Sequence, residues 1–310
     1  MPGFATTDLV LPCSPEWRRE ALGVLYRRVD VGFRDQVIEE ALAGVNGGVI
    51  DLSGLWVARR RGQMVGALLT QTLAGRAAAV WAPEVFEGWG RAATARRLIV
   101  DAMASLRAHG LILAQALVDE SASPRASADL TRGGLTKITV LDYLERDTAG
   151  PIDDVPTGVA MTWRPFGSET EAEFRAVLES TYTGSLDMPE LDGVRSLDDV
   201  IAGHRAAGRF DPSRWLVGRV DGEPESAAVV LLSELPDRDA WEVAYLGLTP
   251  AARGRGLGRL VLDHARSVAA RQTHRLELAV DRRNTPAVRL YRDAGFRTFD
   301  RRAVHLTILR

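Results

Sequence analysis

The chain has 310 residues, 46% of them hydrophobic, with a formal net charge of -2, enough to fill a core in one large domain or two ordinary ones. Balanced charge excludes a general electrostatic drive toward nucleic acid or an anionic membrane, and a single cysteine, Cys13, excludes an internal disulfide or a thiolate metal cluster. No stretch approaches the ~18 to 20 apolar residues of a membrane span, the amino terminus has no leader-like pattern, and a cytoplasmic location is expected. Basic residues are almost all arginine, with Lys137 the one lysine, so arginine content alone is no sign of an anion site.

Taken in chain order, the pattern predicts a helix over 16–26, a strand pair in LWVARRRGQMVGALL, a long helix through GWGRAATARRLIVDAMASLRAHG and a strand at ILAQALV. Prolines and acidic residues without periodicity place a linker at 149–164, between domains at 1–148 and 165–310. Ser168 to Glu171 has capping-box spacing ahead of Phe174, Val177, Leu178 and Tyr182. A short helix near 197–207 and strands at 215–220, 227–232 and 241–248 follow, then a helix at 257–270. A strand at 275–280, a helix at 286–293 and strands at 296–299 and 303–309 complete the chain. The same order appears in each half. Aligning LWVARRRG with RWLVGRVDG offsets the copies by 159 residues, and aligning Gly90 with Gly258 offsets them by 168; a repeat that long is a duplicated domain.

In LTPAARGRGLGRLVLDHA, residues 248–265, glycines stand at alternate positions between a strand and a helix start. Amides at a helix start lack internal partners, and glycine lets an anion approach the main chain, so the turn suits phosphate. A P-loop is excluded because no lysine lies there, and a dinucleotide fingerprint would need glycine where Arg259 stands. Glu242, in WEVAYLGLTP, alternates onto the same strand face as Ala244, Leu246 and Leu248. A partly buried carboxylate there suits a general base. Thr285, Pro286 and Gly295 fit the cap, first turn and end of the helix that carries Tyr291.

Arg253-x-x-Gly256-x-Gly258 after Thr249-Pro250, followed by ELAVDRRNTPAVRLYRDAGF, resembles the GNAT superfamily of acyl-CoA-dependent N-acetyltransferases. The resemblance implies an α/β (α+β) fold of two tandem GNAT-like domains, each a mixed, mostly antiparallel twisted sheet flanked by helices. It implies an acetyl-CoA-dependent N-acetyltransferase, without metal, acting on a small-molecule or peptide amine. Residues Arg253, Gly254, Arg255, Gly256, Leu257, Gly258 and Arg259 would hold the coenzyme pyrophosphate, and the main chain of Leu246 and Leu248 and the side chain of Asn284 would hold its pantetheine arm. Glu242 would be the base and Tyr291 the acid, with Tyr182, Asp187, Glu190 and Asp192 lining the acceptor pocket. In the first half, Gly88 and Gly90 persist, but Val85, Ala74, Leu130 and Ser123 stand where Arg253, Glu242, Tyr291 and Asn284 are expected. A degenerate first copy beside an intact second is similar to the tandem-domain, mycothiol synthase-like GNAT proteins. The alternative is an inactive acyl-CoA-binding regulatory module.

Overall fold

A computed structural model describes residues 8–88, 90–120, 124–149 and 158–309. Ser123 and positions 150–157 of the expected linker lie outside the described residues. Contacts divide the chain into two units, Met1–Ile138 with Ala303–Arg310, and Thr139–Arg302.

The first unit contains β1 (Leu9–Pro12), α1 (Arg18–Leu25), α2 (Val31–Asn46), β2 (Leu55–Arg60), β3 (Gln63–Leu73), β4 (Ala77–Val80), β5 (Glu84–Val85), α3 (Arg91–Ala108), β6 (Leu113–Asp119) and α4 (Pro124–Arg132). It also holds the start of β7 (Thr136–Asp147). The second unit contains the rest of β7, then β8 (Met161–Pro165), α5 (Glu171–Tyr182), α6 (Leu197–Arg205), β9 (Trp215–Val220), β10 (Ser226–Leu235), β11 (Ala240–Leu248), α7 (Leu257–Ala269), β12 (Arg275–Asp281), α8 (Thr285–Asp293) and the first part of β13 (Arg297–Ile308). Neither α2 nor the strand at 161–164, inside the expected linker, is marked by an obvious alternation. The latter is an edge strand on β9, where Pro165 costs no ladder bond.

Within the second unit the sheet order is β8-β9-β10-β11-β12-β7. The first runs β1-β2-β3-β4-β6, then the end of β13. Each sheet has one parallel pair, β4 with β6 and β11 with β12, among antiparallel ones. The last strand of each sheet comes from the other half of the sequence. Arg275 to Asp281 of β12 pair antiparallel with Asp147 to Leu141, whereas the Leu309 N–H donates to the carbonyl of Ile112 beside β6 at 2.9 Å. The two strands expected at the carboxyl end are therefore one strand, shared between units. His305, fully buried in the first unit, contacts Ser127 Oγ through Nε2 at 2.9 Å.

Two apolar layers sandwich the second unit's sheet. On one side Trp241, Val243, Val261, Leu262, Leu278 and Tyr291 pack between α7, α8 and the strands. On the other, Phe174, Leu178, Ile201, Trp215 and Leu231 pack beneath α5 and α6. The expected capping box at Ser168 does not form: Thr170 precedes α5, and its hydroxyl donates to the Pro165 carbonyl at 2.6 Å.

Removing residues 303–310 would strip Val304, Leu306 and Leu309 from the first unit, all less than a tenth exposed. At about 1.5 to 3 kcal/mol for each buried side chain, the first unit's melting transition should drop far below that of the intact chain. Calorimetric scans of the two proteins check this, and unchanged melting would mean that this strand end adds nothing to the first unit's core.

Candidate active site

The parallel pair β11 and β12 is joined in register at only two rungs, Trp241 with Leu276 and Glu242 with Glu277. Beyond them the strands part. The cause lies on the opposite edge of β11, where its register with β10 slips: Leu231 faces Tyr245, Leu232 faces Val243, and Ala244 is left over. Such a bulge bends its strand and gives two consecutive residues one face. Ala244 and Tyr245 both pack toward α5 and α6, whereas Val243, Leu246 and Leu248 pack toward α7 and α8. Glu242 therefore shares its side with Ala244 and Tyr245 and lies opposite Leu246 and Leu248, contrary to simple alternation. Its carboxyl is pushed above the ordinary range by burial first and by the charge of Glu277, against the pull of Arg238. Glu277, almost wholly buried, is paired with Arg238 at 3.0 Å.

The glycine turn follows the free end of β11. Thr249 and Pro250 open a short 3-10 turn, after which Gly254 and Gly256 take left-handed φ angles of 72° and 78°. Gly256 caps α7, and nothing lies within 4 Å of where a Cβ at Gly254 or Gly256 would stand. Among the described residues, no acceptor meets the amides of Gly254, Arg255, Gly256, Leu257 or Gly258. Five amides gathered at a helix start make an anion cradle.

The arginines of the turn do other work. The Arg253 guanidinium donates to the carbonyls of Thr181 at 2.7 Å, Thr183 at 2.8 Å, Gly184 at 3.1 Å and Leu248 at 3.2 Å, tying the end of α5 to the end of β11. Arg255 is bound to Glu223, and Arg259 to Asp263 at 2.6 Å. Leu257 is core, and a Cβ on Gly258 would come within 3.3 Å of Leu290 Cδ2, so that glycine lets α7 approach α8.

Asn284 caps α8, accepting the Ala287 N–H at 3.3 Å, the place that Thr285 was expected to fill. Its side-chain carbonyl is thus engaged, while among the described residues its amide nitrogen has no partner. Tyr291 lies one helix turn from Ala287 and Val288, only 7% exposed and edge-on to Phe296 at 6.0 Å. Burial, reinforced by the charges of Asp187 and Tyr245, holds its phenol well above the ordinary range and hence protonated.

The loop after α5 brings Tyr182 against Tyr245, their ring centroids 5.1 Å apart. Tyr182 contacts His204 Nε2 through its hydroxyl at 2.9 Å, and Tyr245 contacts Thr181 at 2.8 Å. Asp187 lies beside the end of β12, Glu190 is held by Arg283 at 2.6 Å, and Asp192 is exposed. Tyr245 and His204 escaped sequence reasoning. The bulge hides the first, and the second stands 22 residues from its phenol with no spacing signature.

The first unit differs in kind. Gly90 caps α3 with φ 82° and ψ -1°, the conformation of Gly256 at 78° and -1°. The matching offset is therefore 166, from 256 minus 90, and Glu87 rather than Val85 falls opposite Arg253. The register of β4 on β6 puts Ala79, not Ala74, in the place of Glu242. Leu130 is fully buried where Tyr291 would be. Among the described residues no histidine, cysteine and carboxylate group could hold a metal, and no helix is long and apolar enough to cross a membrane.

A mixed sheet with one parallel pair beside a glycine-turned helix start, built twice, is the tandem GNAT architecture. A tandem GNAT protein from the clavulanic acid biosynthesis pathway has the same fold, with a TM-score of 0.52 and 16% identity over 98% of this chain and 99% of that one. The chain belongs to the acetyltransferase (GNAT) family, whose model matches residues 174–296. It is 30% identical to a mycothiol acetyltransferase of Rhodococcus erythropolis over 222 residues, 65% of this chain and 72% of that protein. It is 37% identical to the mycothiol acetyltransferase of Beutenbergia cavernae over 175 residues, 53% of this chain and 57% of that protein, so the latter match spans little more than half the relative.

Two outcomes follow. Arg253→Lys, which cannot fork to four carbonyls, should cost about 2 to 3 kcal/mol in urea denaturation; a change near zero would remove the strut. His204 is depressed to about 4 by burial first and then by Arg195. The unfolded imidazole titrates near ~6.5, so the unfolded state takes up the proton first, and this stability is full above that value and lost as pH falls toward 4. Denaturation at pH 7 and pH 4.5 should show a larger acid loss for the parent than for His204→Phe.

Proposed function

We propose that the second unit transfers the acetyl group of acetyl-CoA directly to an amine. The observation that carries this reading is the placement of Glu242, a carboxylate with raised proton affinity, on the last rung before β11 and β12 part. Acetyl-CoA supplies an acetyl group already activated as a thioester. The residues present fit it: unpaired amides at 254–258 suit its diphosphate, and the unpaired edge of β11 beyond Glu242 offers N–H and C=O groups to the amide-bearing arm. The Asn284 amide can donate to the same arm.

A protonated amine cannot attack. Glu242 takes the proton from the amine, its raised pKa narrowing the gap to an ammonium near ~10. A main-chain N–H at the parted edge stabilises charge on the carbonyl oxygen. Tyr291, kept neutral by burial, gives its proton to the departing thiolate. No acyl-enzyme is required, and burial pushes the Cys13 thiol to about 11, far from a reactive thiolate. Relatives named mycothiol acetyltransferase make the acceptor of that reaction the first to try. The first unit, in which Ala79 and Leu130 stand in the places of base and acid, is then scaffold.

Free-thiol release from acetyl-CoA in the presence of an amine panel tests the reading. Turnover should appear, with Glu242→Gln and Tyr291→Phe each lowering kcat about 10² to 10³-fold and leaving acetyl-CoA affinity within about threefold. Because the base must be deprotonated, activity should fall at acid pH, with its midpoint above ordinary carboxylates and absent in Glu242→Gln. Coenzyme binding without turnover on any amine would instead favour a regulatory module.

A further inference from the structure

Three glutamates stand in one row of the second unit's sheet. Glu242 on β11 faces Glu277 on β12, and Glu277 faces Glu145 on β7. Their strand neighbours Trp241, Val243, Leu276, Leu278 and Leu144 all pack toward α7 and α8, so the three carboxylates share the opposite side. Adjacent strands run about 4.8 Å apart, and like charges directly opposite one another repel. Such a row needs cations, and they are shared unevenly.

Both oxygens of the buried Glu277 are met, Oε2 by Arg238 Nη2 at 3.0 Å and Oε1 by Arg275 Nε at 3.2 Å. Arg275 is also pinned to the turn before β11, where its Nη2 donates to the Arg238 carbonyl. The Arg238 guanidinium lies over the Phe299 ring, 5.0 Å from its centroid. Among the described residues Glu242 has no ion pair, and neither has Glu145. Two cations thus serve the middle carboxylate, and none serves the one beside the opening. The charges felt at Glu242 are those of Glu277 and Arg238, and its own is felt at the Tyr143 hydroxyl on β7. Its partner on β10, Ser233, is neutral.

Arg238 closes the turn Pro236–Arg238, four positions before Glu242. A guanidinium in that position, left unclaimed, would fork onto the next carboxylate of the row, favouring its charged form and occupying its oxygens. We propose that Glu277 is a positioning residue for Glu242: it draws both guanidinium groups to itself and so leaves the carboxylate at the opening without a counter-ion. That Glu242 is thereby free to take a proton from an acceptor rests on the acetyltransferase reading above. The negative charge of Glu277, one strand away, acts in the same direction.

Carbon-13 resonances of the glutamate carboxyls test this on the full chain without coenzyme or acceptor, the Glu242 signal being assigned by its loss in Glu242→Gln. In the parent its midpoint should lie above ordinary carboxylates. Glu277→Gln, which removes one charge and releases two guanidinium groups, should lower that midpoint by at least about one pH unit, whereas Arg238→Gln should raise it. A merely structural role predicts no such opposition. A midpoint unmoved in Glu277→Gln overturns the proposal. If that variant folds poorly, Arg238→Gln, a change in a half-exposed turn residue, decides alone. A midpoint that stays or falls there puts Arg238 out of reach of Glu242, leaves Glu277 nothing to withhold, and overturns the proposal as well. The pH profile of kcat should follow the same two shifts. Turnover that ignores them while the resonance moves removes Glu242 as the base and upholds the role of Glu277.

Discussion

The second unit depends on one interruption of its sheet. Two parallel strands, β11 and β12, hold together for two rungs and then separate because a single extra residue, Ala244, bends β11 on its other edge. Were β11 regular, its amides would pair with β12 and the space would close. The same bulge divides the side chains of β11 between two jobs. Leu246 and Leu248 turn toward α7 and α8, where they support the helix that begins at the glycine turn, while Tyr245 turns to the loop after α5. The opening and the sidedness of Tyr245 are thus consequences of one backbone irregularity.

Charge in the turn is arranged to be silent. Arg253, Arg255 and Arg259 stand where a reader expects phosphate ligands, yet their guanidinium groups are engaged by carbonyls and carboxylates of the protein itself. An anion in the turn would meet the main chain first. Amides and a helix start carry partial charge that needs no counter-ion and does not move, so the cradle stays organised at little desolvation cost. Arg253 adds a mechanical link, since the carbonyls it gathers lie at the end of α5 and the start of the loop after it, and at the end of the strand bordering the opening.

Much of the second unit was legible in the sequence because its signals are local. Glycines at 254 and 256, Pro286 at a helix start and the alternation of strands each act within a few residues, and helix α7 begins where the glycines place it. What escaped depends on pairing between distant segments. The sidedness of Glu242 required knowledge of the register with β10, and the true match of Gly90 to Gly256 required backbone angles rather than letter spacing. His204 beside Tyr182 and Asp187 beside Asp281 are meetings of segments 22 and 94 positions apart. The carboxyl-terminal strand looked like two because its residues serve two cores.

That shared strand sets a timetable for biosynthesis. The first unit's sheet is completed by Ala303 and its followers, 165 positions after Ile138, from 303 minus 138. At about 5 to 20 residues per second on the ribosome, the edge of β6 waits on the order of 8 to 33 s for its partner. Throughout that interval an unpaired strand edge stays open to solvent or to chaperones. The second unit has no such delay, because its borrowed strand, β7, has left the exit tunnel before its own strands emerge.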